Sequence, residues 1–247
     1  MRNLTKRFGG VAAMDDVTLD FPTGSLTAII GPNGAGKSTF FNLISGALVP
    51  DSGRVLLDEA DITGLSRAAI VRRGIGRAFQ VASVFPTMSV AENLMAAVAA
   101  QRGQWDRLGS RFPPAGTRGR ALEIAALLGL ADKAEVEAAN LSHGDQKLLD
   151  IALALALEPS VLLLDEPTAG MGPEERWLMI EKVQALWERQ KLTLVFIEHD
   201  MDIVFRIAAS IAVLCYGRVL AQGTPDEIRV DPAVIAAYLG TPEDELA

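Results

Sequence analysis

One run of consecutive residues combines glycines, a lysine and hydroxyl side chains at a spacing that suits phosphate binding. The run consists of Gly31, Pro32, Asn33, Gly34, Ala35, Gly36, Lys37, Ser38 and Thr39. It fits the pattern GxxxxGK[ST] at every fixed position. Glycines let backbone N–H groups turn inward around phosphates, Lys37 can reach the β- and γ-phosphates, and the Ser38 hydroxyl can ligate Mg²⁺. An ordinary glycine-rich turn is the alternative, but the flanking strand and helix patterns favour a nucleotide-binding P-loop.

A second segment places two carboxylates at the end of an apolar run. Val161–Leu164 is followed directly by Asp165 and Glu166. Asp165 is placed to hold Mg²⁺ through water, and Glu166 is the natural general base for an attacking water. Taken alone, these acids would be a solvated strand end, so their interpretation depends on the P-loop. The sequence has no Asn-Lys-x-Asp motif for reading guanine, which disfavours a GTPase.

Three apolar runs are predicted to be the buried strands that position these residues. They are Leu26–Ile30, Val161–Leu164 and Leu194–Ile197, and each ends in glycine or polar residues. Strands that are apolar on both faces and alternate with helices, such as the one predicted at Lys37–Ala47, indicate a mostly parallel sheet in an α/β fold. Ligands bind at the carboxyl ends of such strands, so we expect the three segments to converge on one site.

The middle of the chain is predicted to be helical. Helix patterns cover Val90–Ala100, Ala121–Leu130 and Asp145–Leu157, and the Gly-, Pro- and Arg-rich stretch Gln101–Gly119 is interpreted as a surface loop. We therefore predict a nucleotide-binding core of residues 1–80 and 151–247 with an inserted helical subdomain of residues 81–150. A further helix is expected to begin after Thr224, with Pro225 in its first turn and Glu227 completing a capping box.

Residues 141–146, here called the signature segment, make a known family recognisable. They read Leu-Ser-His-Gly-Asp-Gln, which resembles the Leu-Ser-Gly-Gly-Gln signature of ABC ATPases. With the P-loop, the Asp165-Glu166 pair and His199 at a strand end, the resemblance covers essentially the whole chain. It implies an ATP-hydrolysing subunit with the ABC ATPase fold, in which an N-terminal antiparallel β subdomain and a helical insertion flank a P-loop NTPase core.

The resemblance also implies roles for three residues outside these motifs. Phe8 matches the aromatic residue that stacks on adenine, although a phenylalanine of the core is the alternative. Gln80 matches the glutamine that senses Mg²⁺ and the attacking water, and it opens the helical subdomain. His199 matches the histidine that contacts the γ-phosphate and orients Glu166 and water.

Ser142 and Gly144 match positions that contact the γ-phosphate of ATP held by a second ATPase subunit. A serine at a helix N-terminus can also be a plain cap. A helix N-terminus binds anions well, but the subunit's own P-loop already holds its ATP. The resemblance therefore implies that two ATP molecules are sandwiched between two chains.

Three residues depart from the family pattern. His143 replaces a glycine and Asp145 replaces the usual glutamine of the signature, while Gly172 stands where many members have aspartate. The first two lie beside the serine and glycine that contact phosphate, so we expect function to survive. The third affects how the two subunits communicate.

The glycine-rich stretch Ala-Gly-Met-Gly-Pro at 169–173, the Leu-Ser-His-Gly signature and the Gln101–Gly119 loop look most like those of ABC importers for branched-chain amino acids. That family includes relatives for urea and short amides. The implied partners are a second ATPase, identical or different, two transmembrane permease subunits and, indirectly, a periplasmic solute-binding protein. The expected location is the cytoplasmic face of the inner membrane. The permeases should dock beside Gln80, where Val81, Val84, Phe85, Pro86 and Met88 are unusually apolar for a loop. The alternative is that this cluster belongs to the helical core.

Composition limits the kinds of partner and the membrane role that this chain can have. The chain has 247 residues, of which 49% are hydrophobic and 22% charged, and a net charge of −8. The negative charge argues against a nucleic-acid partner, which needs a basic footprint. No apolar stretch approaches the ~18–20 residues that span a bilayer, so we expect a soluble chain whose membrane role comes through partners.

Three other functions compete with that of an importer ATPase. The first is an ABC ATPase that exports lipid or lipopolysaccharide, with the same chemistry and a different cargo. The second is an ABC ATPase of DNA repair or translation, which normally needs a long coiled coil or two cassettes with a basic linker. The third is a regulatory subunit without hydrolysis, which would require the loss of Glu166 or His199, and both are present.

Overall fold

The computed structural model describes residues 1–78, 84–103 and 113–239. The strands are β1 (Arg2–Phe8), β2 (Val11–Val17), β3 (Leu26–Ile30), β4 (Ser52–Arg54), β5 (Leu56–Leu57), β6 (Ala60–Asp61), β7 (Ile75–Ala78), β8 (Val161–Asp165), β9 (Thr193–Ile197), β10 (Ser210–Cys215) and β11 (Arg218–Gly223). The helices are α1 (Lys37–Ile44), α2 (Arg67–Arg72), α3 (Val90–Gln101), α4 (Thr117–Leu127), α5 (His143–Ala156), α6 (Pro173–Gln190), α7 (Met201–Ile207), α8 (Pro225–Val230) and α9 (Pro232–Leu239). The chain divides into a first unit, Met1–Ile70 with Thr193–Ala247, and a second unit, Val71–Leu192.

Parallel strands form the centre of the first unit. They are ordered β11-β10-β3-β9, in which β10, β3 and β9 are parallel neighbours and β11 is antiparallel to β10. Every residue of β3 and of β9 is buried, which explains why both read as continuous apolar runs. The bounds predicted for β3 are confirmed, and β9 begins one residue before its predicted start. The predicted α/β fold is therefore confirmed.

The N-terminal part of the first unit is antiparallel. Strand β1 pairs with β2 on one side and with β4 on the other, and β5 and β6 form a short hairpin. Asp51, beside β4, holds the sheet by accepting hydrogen bonds from Lys6 Nζ and from the backbone N–H of Arg7, both at 2.7 Å. The predicted N-terminal antiparallel subdomain is thus present.

Two helices of the first unit test the predicted boundaries. Helix α1 ends at Ile44, three residues before its predicted end, because the chain turns at Gly46 with φ of 68°. A Cβ there would lie 2.6 Å from Ile70 Cδ1 and 2.9 Å from the backbone oxygen Leu65 O, and the positive φ also favours glycine at this turn. Helix α8 follows Thr224 with the predicted capping box, in which Glu227 Oε2 accepts a 2.8 Å bond from the Thr224 backbone N–H.

The second unit contains the parallel pair β7 and β8 and the helices α3 to α6. Helices α3, α4 and α5 pack against one another, and α5 also contacts α6 and both strands. The predicted loop Gln101–Gly119 is partly wrong, because Gln101 closes α3 and α4 begins at Thr117. The Thr117 hydroxyl donates a 2.8 Å bond to Pro114 O, which closes the turn before α4. Residues 104–112 of that loop lie outside the described part, and the predicted subdomain limits remain a prediction.

A buried asparagine on α3 holds the segment that precedes the helix. Asn93 is fully buried, and its Oδ1 accepts a 2.8 Å bond from Phe85 N. Its Nδ2 donates to the carbonyl oxygens of Phe85, Met88 and Ser89 at 3.0–3.1 Å. Burying an amide costs stability unless it is hydrogen-bonded, and here backbone groups satisfy both ends of it. Asn93 therefore fixes residues 85–89 against α3.

Replacing Asn93 tests this role. The change Asn93→Ala leaves several buried backbone groups without a partner, so we expect the free energy of unfolding to fall by about 2–3 kcal/mol. Urea unfolding followed by circular dichroism measures the difference. Asn140→Ala, at an exposed position of the same unit, is the matched control and should have little effect. Equal midpoints for the two variants would contradict the assigned role.

Candidate nucleotide site

The P-loop is held against neighbouring backbone at two glycines. Gly31 has φ of 152° and Gly36 has φ of 100°. A Cβ at Gly31 would lie 2.1 Å from Leu214 O, at the end of β10, and a Cβ at Gly36 would lie 2.3 Å from Ala13 O in β2. Between them, Gly34 has φ of 79° and open space around its Cβ position. The loop is thus packed at both ends and open in the middle, which is the shape that a phosphate cradle needs.

Helix α1 presents an N-terminus suited to an anion. It begins at Lys37, and in this fully described helix no side chain caps the N-terminus and the first turn has no acidic residue. The positive end of the helix dipole therefore faces the loop without a competing carboxylate of its own. Ser38 is exposed and Thr39 is half-buried, so the Ser38 hydroxyl is accessible beside the loop. These features fit a phosphate group and a Mg²⁺ ion bound to it.

Lys37 holds the loop from inside. Its side chain is buried, and Nζ donates to Gly31 O at 2.7 Å and to Pro32 O at 3.0 Å. The ammonium group therefore lies within the curve of the loop, close to where phosphate oxygens would bind. Carbonyl oxygens are weaker partners for an ammonium than phosphate oxygens are. Lys37 can exchange one set of acceptors for the other without leaving the loop.

His199 leaves the sheet at the same edge as the P-loop. Ile29 of β3 pairs with Ile197 of β9, and Gly31 and His199 each follow two residues later. The His199 side chain is exposed, and its backbone N–H donates a 3.2 Å bond to Glu198 Oε2. The structure thus brings together two of the three predicted strand ends within the first unit.

Phe8 lies at the end of β1 and is half-exposed, with 49% of its surface accessible. It pairs with Val11 across the β1–β2 turn, and Lys6 Nζ is 5.8 Å from the centre of its ring. This exposure contradicts the alternative of a core phenylalanine. A half-exposed ring offers a face on which an adenine base can stack.

In the second unit, Asp165 is the last residue of β8 and Glu166 follows in a tight turn. Glu166 has φ of 47°, and its carbonyl oxygen accepts a 3.1 Å bond from Ala169 N. A non-glycine residue in this conformation costs about 1–2 kcal/mol. Such strain persists where the surroundings impose it, and it is often found at active sites. The turn fixes the backbone from which the Glu166 side chain projects.

Arg77 is a contact of Asp165 that the sequence motifs do not predict. Arg77 Nη2 lies 2.8 Å from Asp165 Oδ2, and both side chains are about nine-tenths buried. The residues are 88 positions apart but lie on the neighbouring strands β7 and β8, where Arg77 pairs with Leu163. A basic residue in a strand beside an acidic strand end is the one signal that suggests the pair. Arg77 orients the carboxylate that is predicted to hold Mg²⁺ through water.

The signature segment forms the start of α5. Ser142 is the N-cap residue, and its hydroxyl accepts a 3.1 Å bond from Asp145 N, so the helix begins two residues before its predicted start. Ser142 is exposed, and the atom nearest to a Cβ at Gly144 would be Met171 Cε at 3.9 Å. The His143 ring nitrogen Nε2 lies 3.2 Å from Ala169 O. The histidine that replaces a glycine of the family pattern therefore contacts the segment after Glu166.

The predicted site residues are divided between the two units. The P-loop, His199 and Phe8 belong to the first unit, whereas Asp165, Glu166, Ser142 and Gly144 belong to the second. Gln80 and Val81 lie outside the described residues. In the described ranges, no helix has the length and apolar character needed to cross a membrane.

Comparison with known proteins identifies the class of protein. The family described as ABC transporter matches residues 14–169. This chain belongs to that family and is an ATP-binding ATPase subunit. A second family, described as the branched-chain amino acid ATP-binding cassette transporter, matches residues 218–244.

Individual relatives match almost the full length. The chain is 40% identical over 246 residues to the high-affinity branched-chain amino acid transport ATP-binding protein LivG of Salmonella typhimurium, covering 97% of this chain and 96% of LivG. A nucleotide-free ATP-binding cassette from an ABC transporter is similar with a TM-score of 0.84 and 32% identity, covering 97% of this chain and 98% of that one. A dimeric cassette bound to ADP and Pi has a TM-score of 0.76 and 27% identity, with 91% and 97% coverage. The predicted family and fold are confirmed.

Two glycine variants test the packing of the P-loop. An alanine at Gly34 or at Gly36 would have an unfavourable positive φ. Only the Cβ of Gly36→Ala would also clash with Ala13 O. We therefore expect Gly36→Ala to lower the free energy of unfolding by about 2 kcal/mol more than Gly34→Ala. Thermal unfolding without nucleotide, compared with the unsubstituted chain, measures both changes. If Gly34→Ala proved the more damaging substitution, the described packing at Gly36 would be wrong.

Proposed function

We propose that this chain binds ATP with Mg²⁺ and hydrolyses it as one of two ATPase subunits that drive a membrane importer for branched-chain amino acids or related small polar solutes such as urea and amides. The observation that supports it most is the P-loop, whose lysine and uncapped α1 N-terminus form a phosphate site. The exposed Ser142 at the start of α5 matches the position that completes a second chain's site in this family.

Binding begins at the P-loop. Lys37 exchanges its carbonyl acceptors for β- and γ-phosphate oxygens, and the loop N–H groups from Asn33 to Thr39 surround the phosphates. The Ser38 hydroxyl and, through water, Asp165 hold Mg²⁺ together with Gln80. When bound, Mg²⁺ neutralises charge on the transferred phosphoryl group. Phe8 stacks on the adenine.

Hydrolysis is assigned to Glu166. Its carboxylate accepts a proton from the attacking water, while His199 contacts the γ-phosphate and helps to orient both. The strained turn at Glu166 supports this assignment, because a fixed backbone lowers the cost of positioning the base. Ser142 and Gly144 of the second subunit close the site over the γ-phosphate. The dimeric cassette bound to ADP and Pi is a precedent for such pairing.

The transported solute and the location rest on similarity. LivG is named as a branched-chain amino acid transport protein, and residues 218–244 match the corresponding C-terminal family. We therefore assign this chain to the cytoplasmic face of the inner membrane, bound through two permease subunits and served indirectly by a solute-binding protein. No nucleic-acid partner is proposed, in keeping with the net charge of −8. A lipid or lipopolysaccharide exporter remains the second candidate only because its ATPase has the same chemistry.

The permease contact is assigned to residues 84–88. Phe85 is 54% exposed, and Pro86 and Thr87 beside it are also exposed, so this segment is not part of the helical core. An exposed phenylalanine on a segment fixed by Asn93 presents an apolar contact at low entropic cost.

A test of the proposed function concerns the general base. We expect Glu166→Gln to lower Mg²⁺-dependent phosphate release at least about 100-fold, because an amide cannot accept the proton. Binding of a fluorescent ATP analogue should be unchanged. Glu123→Gln, the same chemical change at an exposed position of α4, should turn over like the unsubstituted chain. Equal turnover of the Glu166 variant would show that another residue is the base.

Size-exclusion chromatography of Glu166→Gln in ATP then reports on the partner. An ATP-dependent dimer indicates that two copies of this chain form the sandwich. An inactive variant that stays monomeric indicates that the second ATPase is a different chain, as the importer similarity implies.

A separate test concerns the coupling of ATPase activity to the permease subunits. We expect Phe85→Glu to abolish stimulation of ATPase activity by the permease subunits, because a charge replaces the apolar contact, while ATP binding by the isolated chain is retained. Val230→Glu introduces the same charge at another exposed position and should leave stimulation intact. Phosphate release with and without permeases in lipid vesicles measures the effect. Full stimulation of the Phe85 variant would refute this docking site.

A further inference from the structure

The signature segment contains a charged network that the family pattern does not include. Asp145 stands where the pattern has glutamine, and its Oδ2 accepts a 2.8 Å bond from the Ser142 hydroxyl. The same oxygen accepts a 2.6 Å bond from Lys133 Nζ. Lys133 lies in a short 3-10 turn, Ala131–Lys133, whose following residue accepts a backbone bond from Ala91 of α3. The network therefore joins the start of α5 to Lys133, whose turn is held to α3 by a backbone hydrogen bond.

This network is more than a helix cap. In α3 and α8, the third helical residue is a glutamate whose carboxylate accepts from the backbone N–H of the cap residue, at Ser89 and Thr224 respectively. At the corresponding position of α5, the carboxylate of Asp145 is bonded to the cap hydroxyl and to Lys133. The Ser142 hydroxyl therefore donates its single proton in a hydrogen bond to the Asp145 carboxylate. A hydroxyl has one proton, so Ser142 cannot donate to Asp145 and to a phosphate at the same time.

The charge balance at Asp145 explains why it stays ionised. Partial burial tends to raise the pKa of Asp145, but hydrogen bonds from Lys133 and Ser142 outweigh burial and keep its pKa below the usual value. The hydrogen bond to Asp145 likewise raises the pKa of Lys133. The network thus holds a carboxylate next to a helix N-terminus where a phosphate is expected, and Lys133 compensates its charge.

The surroundings place this carboxylate at the approach to the helix N-terminus. A cavity of about 100 Å³ is lined by Ser142, Gly144 and Asp145 of the signature segment, and by Glu175 and Lys182 of α6. Asp145 keeps only 14% of its side chain exposed, whereas Lys133 keeps 37%. The carboxylate therefore faces the same space as the serine and glycine that are proposed to contact the partner's ATP.

We propose that Asp145 and Lys133 are a positioning pair that sets how tightly Ser142 holds the γ-phosphate of ATP bound by the second subunit. Asp145 weakens this contact, because it takes the serine proton and repels phosphate. Lys133 strengthens it, because it neutralises the carboxylate. This inference rests on the proposed function, in which Ser142 closes a partner's site.

The two residues have opposite expected effects, which makes the inference testable. In the complete transporter, assembled with its permeases and whichever second ATPase it contains, we expect Asp145→Asn to lower the KM for ATP by about threefold to fivefold. Lys133→Met should raise the KM by about the same factor, because the carboxylate beside the phosphate loses its hydrogen-bonded cation and keeps only the charge of Lys182 nearby. The double variant should have a KM close to that of Asp145→Asn alone, since Lys133 acts through the charge of Asp145.

Three controls separate positioning from general damage. Lys133→Arg retains the charge and should retain the unsubstituted KM. Arg118→Met removes an exposed ion pair with Glu135 in the same unit and should leave KM unchanged. The affinity of the isolated chain for a fluorescent ATP analogue reports its own P-loop and should be the same in all variants.

Each outcome decides the matter. A purely structural network predicts that both single variants raise KM or lower kcat alike, and that result would overturn the inference, as would unchanged KM values. A double variant whose KM equals the product of two independent effects would also overturn it. If the unsubstituted transporter showed no ATP turnover, the proposed function itself would fail, which is a result distinct from any KM pattern among the variants.

Discussion

The close approach of the P-loop to its neighbours is the constraint on which the nucleotide site depends. Gly31 and Gly36 lie so close to the carbonyl oxygens of Leu214 and Ala13 that a Cβ would not fit. The loop is therefore fixed at both ends by backbone that belongs to β10 and β2. Gly217 N also donates to Ala35 O at 3.1 Å. Because these contacts involve backbone atoms, they cannot relax by a change of rotamer. Lys37 and the first turn of α1 are therefore preorganised before nucleotide binds.

Helix N-termini are used in two electrostatically different ways in this chain. Helix α1 begins without an acidic residue in its first turn, and its positive end is balanced by whatever anion the loop binds. Helix α5 carries Asp145 in its first turn, so the protein supplies part of the compensating negative charge itself and then neutralises it with Lys133. The first arrangement suits the phosphates of a nucleotide that this chain itself binds. The second suits the weaker phosphate contact that is proposed between subunits, because Asp145 reduces the positive potential at the start of α5.

Much of the fold was predictable because hydrophobic periodicity and glycine positions are local signals. The strand Leu26–Ile30, the P-loop and the capping box at Thr224 follow from residues adjacent in sequence. Boundaries were less accurate where a distant contact ends an element, as Ile70 does beside Gly46 after α1. The pairs Arg77–Asp165 and Lys133–Asp145 were not predicted, since no periodicity links residues 88 or 12 positions apart. These pairs concern orientation, which motifs do not encode, whereas the identity of the phosphate-binding residues was readable from their spacing.

Asn93 explains how a short exposed segment is held in one conformation. The segment from Phe85 to Ser89 contains only a turn and an isolated bridge from Ser89 to Glu137, yet four hydrogen bonds to one buried side chain join it to α3. The backbone at Phe85 is therefore fixed to α3, which packs against α4 and α5. Since Ser142 caps α5, the permease contact proposed at Phe85 and the phosphate contact proposed at Ser142 would both act on this one packed set of helices.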